Sequence, residues 1–63
     1  MLKTYTLYLR GGRDDNRFEP AMCRSASEVM ARANQLLAES ADSEAVEVFF
    51  DDRMLVRVER PAG

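Results

Sequence analysis

Apolar and polar positions alternate along residues 2–10, LKTYTLYLR, and with aromatic and β-branched residues and no breaker this run predicts a strand. One face carries Tyr5, Leu7 and Leu9, the other Thr4, Thr6 and Tyr8. Gly11-Gly12 and Asp14-Asp15-Asn16 then predict a turn, because glycine accepts positive φ and Asp and Asn bond their own backbone. Residues 17–23, RFEPAMC, predict a second strand, placed at a sheet edge because Pro20 has no N–H for a central ladder. The spacing changes at Ser25-Ala26-Ser27-Glu28, which matches a capping box: the Ser25 hydroxyl takes the Glu28 N–H and Glu28 reaches back. Ala26, Val29, Met30, Ala33, Leu36 and Leu37 follow at helical spacing and predict a helix over about 26–40. Glu28, Arg32, Gln35 and Glu39 fall on its wet side, with Glu28 and Arg32 set as an i,i+4 pair.

Alternation returns in residues 44–50, EAVEVFF, and 54–59, MLVRVE, around Asp51-Asp52-Arg53. A three-residue loop sets Phe50 opposite Met54, Val48 opposite Val56 and Val46 opposite Val58, so all six share one face. The same register sets Glu47 opposite Arg57 on the other face, an opposite-charge pair. Against it, such loops favour Gly or Asn at the third position, which here is Arg53. The closing residues 60–63 are expected to fray. The elements compose one α+β domain, β-β-α-β-β, with a four-stranded, mainly antiparallel sheet and one helix packed on one face. Strand order 2-1-3-4 is favoured, with 2-1-4-3 as the other possibility.

A single helix shields one side of such a sheet. That side takes Tyr5, Leu7, Leu9, Val46, Val48, Phe50, Met54, Val56 and Val58. The other shows Thr4, Thr6, Tyr8, Ala45, Phe49 and Leu55 with the Glu47–Arg57 pair, more apolar than a solvated sheet face requires. Thr6, Tyr8, Phe49, Leu55 and Arg57 are therefore the candidate interface.

Composition sharpens this. A 63-residue chain buries only about 60% of the surface its unfolded form exposes, and domains this small usually need a staple. Cys23 is the lone cysteine, so no internal disulfide forms, and no histidine is present to build a usual zinc site. Self-association, a homodimer, remains by elimination. The net charge of −2 argues against a general nucleic-acid binder. Charge is uneven: residues 1–24 carry five cations minus three anions, +2, and residues 25–63 four minus eight, −4. No apolar run reaches the roughly 18 residues of a membrane span, MLKTYTLYLR lacks the continuous apolar core of a signal peptide, and a lone thiol suits a reducing compartment. A cytoplasmic location is expected.

Candidate chemistry is thin. RGGRDDNR, residues 10–17, offers Arg10, Arg13 and Arg17 around two glycines, but phosphate loops open into a helix and this one opens into a strand. Asp14 and Asp15 also cancel much of its field, so a hairpin turn is the reading. Cys23 has no histidine as base and is read as structural. Asp51 and Asp52 lack the alternating ligands of a calcium loop, and nothing brings Glu19 to Glu47 as an acid–base pair. No catalytic, metal or cofactor residue is assigned. The runs FEPAMC, SASEVMARANQLL and EAVEVFFDDRMLVRV together resemble small single-domain bacterial proteins of uncharacterised function. The resemblance implies a soluble, non-secreted bacterial protein and transfers no site residues. The expectation is a non-enzymatic protein acting through protein–protein contact, first with itself through the helix-free sheet face. Nucleic-acid or small-ligand binding on that face is the alternative, and a thiol-dependent enzyme a more distant one.

Overall fold

The computed structural model describes residues 1–61. Strands β1 (Lys3–Arg10), β2 (Phe18–Cys23), β3 (Ala45–Phe50) and β4 (Arg53–Glu59) form one antiparallel sheet in the order β2-β1-β3-β4. The helix α1 (Ala26–Glu39) joins β2 to β3, which completes the α+β order β-β-α-β-β. Of the two strand orders open in the sequence, 2-1-3-4 is the one adopted, and Pro20 lies on an edge strand. Its missing N–H therefore costs the sheet no central ladder bond.

The core lies between the helix and one sheet face. Val29, Ala33, Leu36 and Leu37 of α1 pack with Tyr5, Leu7, Leu9, Cys23, Val46 and Val48. Met30 is only half-buried and Ala26 is exposed, so the buried stripe is narrower than the expected one. Ser25 caps the helix as expected, its Oγ accepting the Glu28 N–H at 3.3 Å. The return bond differs: Glu28 Oε1 accepts from the Arg24 N–H at 2.6 Å, one residue before the cap. With Glu28 so engaged, Arg32 does not form the i,i+4 pair. Its guanidinium grips Glu19 of β2 through two bonds, at 2.7 and 2.8 Å, and ties the helix to the edge strand.

RGGRDDNR is a turn docked on the α1–β3 connection. Gly11 and Gly12 both take positive φ, 86° and 72°. A Cβ at Gly12 would overlap the Asp42 carbonyl, so the close approach itself requires glycine. The N–H groups are turned inward: Gly11 gives to Asp15, Arg13 to Asp42, Asn16 to Leu9 and Arg17 to Asp14. Little is left to cradle an anion.

The β3–β4 hairpin departs from the expected register at its tip. Val46–Val58, Glu47–Arg57 and Val48–Val56 pair as anticipated, but Phe49 then faces Met54 and Phe50 faces Arg53. The turn is two residues, Asp51-Asp52, with Asp51 at φ 55°. The left-handed conformation that a longer loop would demand of Arg53 falls instead on an aspartate, which tolerates it. A bulge beside Leu55 absorbs the extra residue. Met54 is thereby moved off the helix side to stand opposite Phe49, more than half exposed.

Arg60 is held, not frayed. Its N–H bonds Glu44 O at 3.0 Å, and its guanidinium bonds the carbonyls of Leu37, Ser40 and Ser43 at 2.8, 2.5 and 3.0 Å. The helix has no basic residue in its last turn, so Arg60 supplies from outside the cation that its C-terminal carbonyls favour. The expected fraying of residues 62–63 lies outside the described residues. Replacing Arg60 by Met keeps the stem and removes these bonds. Thermal unfolding should show a loss of about 1–2 kcal/mol and a Tm lower by roughly 5–10 °C. An unchanged Tm would mean the cap contributes nothing.

Candidate functional site: the helix-free sheet face

Alternation fixes which side chains line the face opposite the helix. From β1 come Thr4, Thr6, Tyr8 and Arg10, and the first three pair on β2 with Met22, Pro20 and Phe18 in turn. From β3 come Glu47 and Phe49, and from β4 Arg57, Glu59 and, past the bulge, Met54. The face divides into an apolar region and a charged row.

The apolar region is built around Tyr8. Its ring lies 5.5 Å from Phe18 and 5.2 Å from Phe49, the latter edge-on, so three aromatic rings span β2, β1 and β3. Tyr8 and Phe49 support one another and are half-buried. Four neighbours stay largely in water: Phe18 is 62% exposed, Met22 66%, Met54 52% and Leu55 53%. Phe18, Met22 and Met54 pair with open-face residues of the ladder, and Leu55 lies at the bulge. A shallow depression lined by Thr6, Tyr8, Arg10, Phe49, Asp51 and Asp52 runs beside the rings.

The charged row alternates in sign. Glu47, its side chain 14% exposed, accepts from Arg10 Nε at Oε1, 2.7 Å, and from Arg57 Nη1 at Oε2, 2.6 Å. Arg57 also reaches Glu59 at 3.2 Å, and Arg10 bonds Asn16 and lies 4.9 Å from the centre of the Tyr8 ring. Ala45, between Arg10 and Glu59 in the ladder, is fully buried yet outside the helix-side cluster. A methyl shielded on a helix-free face implies cover by the long side chains flanking it. The Arg10 hydrogen bond holds the Glu47 carboxyl below the usual carboxylate range; partial burial opposes this, and the bond from Arg57 reinforces it. Arg57 is correspondingly raised, by its bond to Glu47 first and Glu59 second.

The structure brings together four of the five residues anticipated for this face. Thr6 stands opposite Phe49, Phe49 against Tyr8, and Tyr8 beside Glu47, which holds Arg57. Leu55 is the fifth, exposed at the bulge. Phe18, Met22 and Met54 complete the region. The first two follow from the parity of β2 once its register on β1 is known; Met54 depends on the bulge.

Other candidate chemistry does not assemble. Glu19 and Glu47 lie on opposite faces, Glu19 bound to the helix through Arg32. Cys23 is buried in the core cluster. A cleft between the β1–β2 turn and the end of α1 contains Asp14, Arg17, Glu39 and Ser40. The Ser40 hydroxyl there is spent on Asp14, 3.1 Å, and Ser43, 2.6 Å. Among the described residues no cluster of three or more Cys, Asp or Glu is placed to hold a metal ion. No helix among them is long and apolar enough to cross a membrane.

Comparison of the chain with protein-family models, curated proteins and solved structures returns no match.

The lowered Glu47 pKa carries a signed consequence. A carboxylate held below its unfolded value stabilises the fold fully above that value, roughly pH 4.3, and loses the contribution as pH falls through the folded one. In urea titrations, wild type should be more stable than Glu47→Gln at neutral pH, with the gap closing below about pH 4. A gap independent of pH would show that the ion pairs do not cause it.

Proposed function

We propose that the protein acts through protein–protein contact, and that the contact is a homodimer formed on the helix-free sheet face. The observation carrying this reading is the exposure of Phe18, Met22 and Met54 on the face that carries the Tyr8–Phe49 pair, with Leu55 exposed at the adjoining bulge. Scattered surface apolars are ordinary, but exposed apolar side chains on the face that carries an aromatic cluster are what interface cores are made of. Charge favours a second copy as occupant. The two cations and two anions of the row cancel, so the row offers no net sign for a charged partner to match. A nucleic acid would need unpaired cations beside the rings, and Arg10 and Arg57 are both committed to Glu47.

The edges of the sheet are poorer sites for self-pairing. Pro20 interrupts one and the Leu55 bulge the other, both devices that blunt strand addition. Size sets the strength: four strands about 4.8 Å apart and about 20 Å long give a footprint of roughly 400 Å², below the ~800 Å² per partner of a standard interface. A contact of that size belongs with weak, transient associations. The absence of catalytic groups and a cytoplasmic site of action belong to the same proposal, the latter resting on the lone reduced thiol.

Sedimentation equilibrium at about 100 μM, high enough to populate a weak association, should give a mass rising from the 7.2 kDa of the chain toward twice that value. Phe18→Glu and Leu55→Glu, both exposed and dispensable to the core, should give monomers with unchanged circular dichroism. A wild-type monomer at that concentration contradicts the reading, and salt-sensitive oligonucleotide binding by such a monomer would replace it.

A further inference from the structure

The charged row crosses the face assigned to the homodimer, and its role in association rests on that reading. We infer that Glu47 gates the self-association, because its negative charge is what allows Arg10 and Arg57 to be enclosed between two copies.

The geometry assigns one carboxylate oxygen to each guanidinium, Oε1 to Arg10 and Oε2 to Arg57. The groups around Glu47 come from both neighbouring strands. Tyr8 and Arg10 approach from β1, with Asn16 behind Arg10, and Arg57 and Glu59 from β4. Asp51 and Asp52 sit at the far end of the depression, and the helix lies on the other side of the sheet. With Glu47 charged, the row sums to zero. With Glu47 neutral, Arg10 loses its carboxylate, and Arg57 keeps only Glu59.

On a monomer that loss is small, because water solvates partly exposed guanidiniums. In an interface the same cations are removed from water on both copies at once, and an uncompensated buried charge is among the costliest defects an interface can hold. Removing all three charges leaves no such defect, since apolar replacements of similar volume are tolerated where a broken pair is not. Self-association is therefore linked to one carboxylate. It is full above the ordinary carboxylate range and weakens as Glu47 is protonated below it.

Three chains measured by sedimentation at pH 7 and at about pH 3 test this. Glu47→Gln should dimerise at least about 30-fold more weakly than wild type at pH 7, with its monomer still folded by circular dichroism. The triple replacement Arg10→Met, Glu47→Leu, Arg57→Met should keep or exceed wild-type affinity and lose the pH dependence. Wild type should weaken between pH 7 and about pH 3, where the lowered Glu47 carboxyl takes up its proton, with circular dichroism confirming the fold at both; this arm does not depend on a variant folding. Wild-type affinity in Glu47→Gln, or a folded triple variant that dissociates as Glu47→Gln does, overturns the gating while leaving the dimer itself intact. A monomeric wild type at pH 7 overturns the dimer reading beneath it.

Discussion

A single 14-residue helix is narrower than the four-stranded sheet it covers, and every other feature of this chain answers to that mismatch. The helix buries Val29, Ala33, Leu36 and Leu37 against one sheet face, and the side chains completely removed from water lie mostly on the central strands β1 and β3. With no disulfide, and with no second helix among the described residues, the other sheet face is where further apolar surface remains to be buried. That face carries three adjoining rings and a border of exposed apolar neighbours where a solvated sheet would alternate polar groups.

Polar interactions elsewhere are spent on holding this small frame together. Arg32 clamps the helix to the edge strand through Glu19, and Arg60 closes the helix C-terminus from the far end of β4. The glycine turn is knitted to the α1–β3 connection by Asp42, Asp14 and Ser40. These contacts are satisfied and leave few loose ends: among the described residues no buried side-chain polar atom lacks a partner. The Arg10–Glu47–Arg57 arrangement differs in kind. It sits on the open face, joins no helix to the sheet, and neutralises cations that water would solvate anyway. Such pairing matters most where water is excluded.

Much of this was legible in the residues. Periodicity alone separated strand from helix, Pro20 marked its own strand as an edge, and the parity of EAVEVFF against MLVRVE located Glu47 opposite Arg57. What escaped was non-local. Arg32 has a suitable partner four residues away and takes one across the fold, because Glu28 is held by a backbone N–H. Arg60 looked like tail, since nothing in Arg-Pro-Ala-Gly announces three carbonyls converging on it. The bulge at Leu55 comes from turn chemistry: Asp51 is better suited than Arg53 to left-handed φ, and the displaced residue had to be absorbed nearby. For the candidate face, Tyr8 and Phe49 were visible from parity. Phe18 and Met22 required the β1–β2 register, which a turn as long as residues 11–17 does not fix.

The central claim is that water is excluded from the helix-free face by a second copy of the chain. A dilution series followed by heteronuclear NMR tests it residue by residue. Between low micromolar and near-millimolar protein, resonances of Phe18, Met22, Met54 and Leu55 should shift together along one binding curve, while Val29, Ala33 and Leu36 under the helix stay fixed. Spectra that superimpose over the whole range, or shifts that map to the outer surface of the helix, would contradict it.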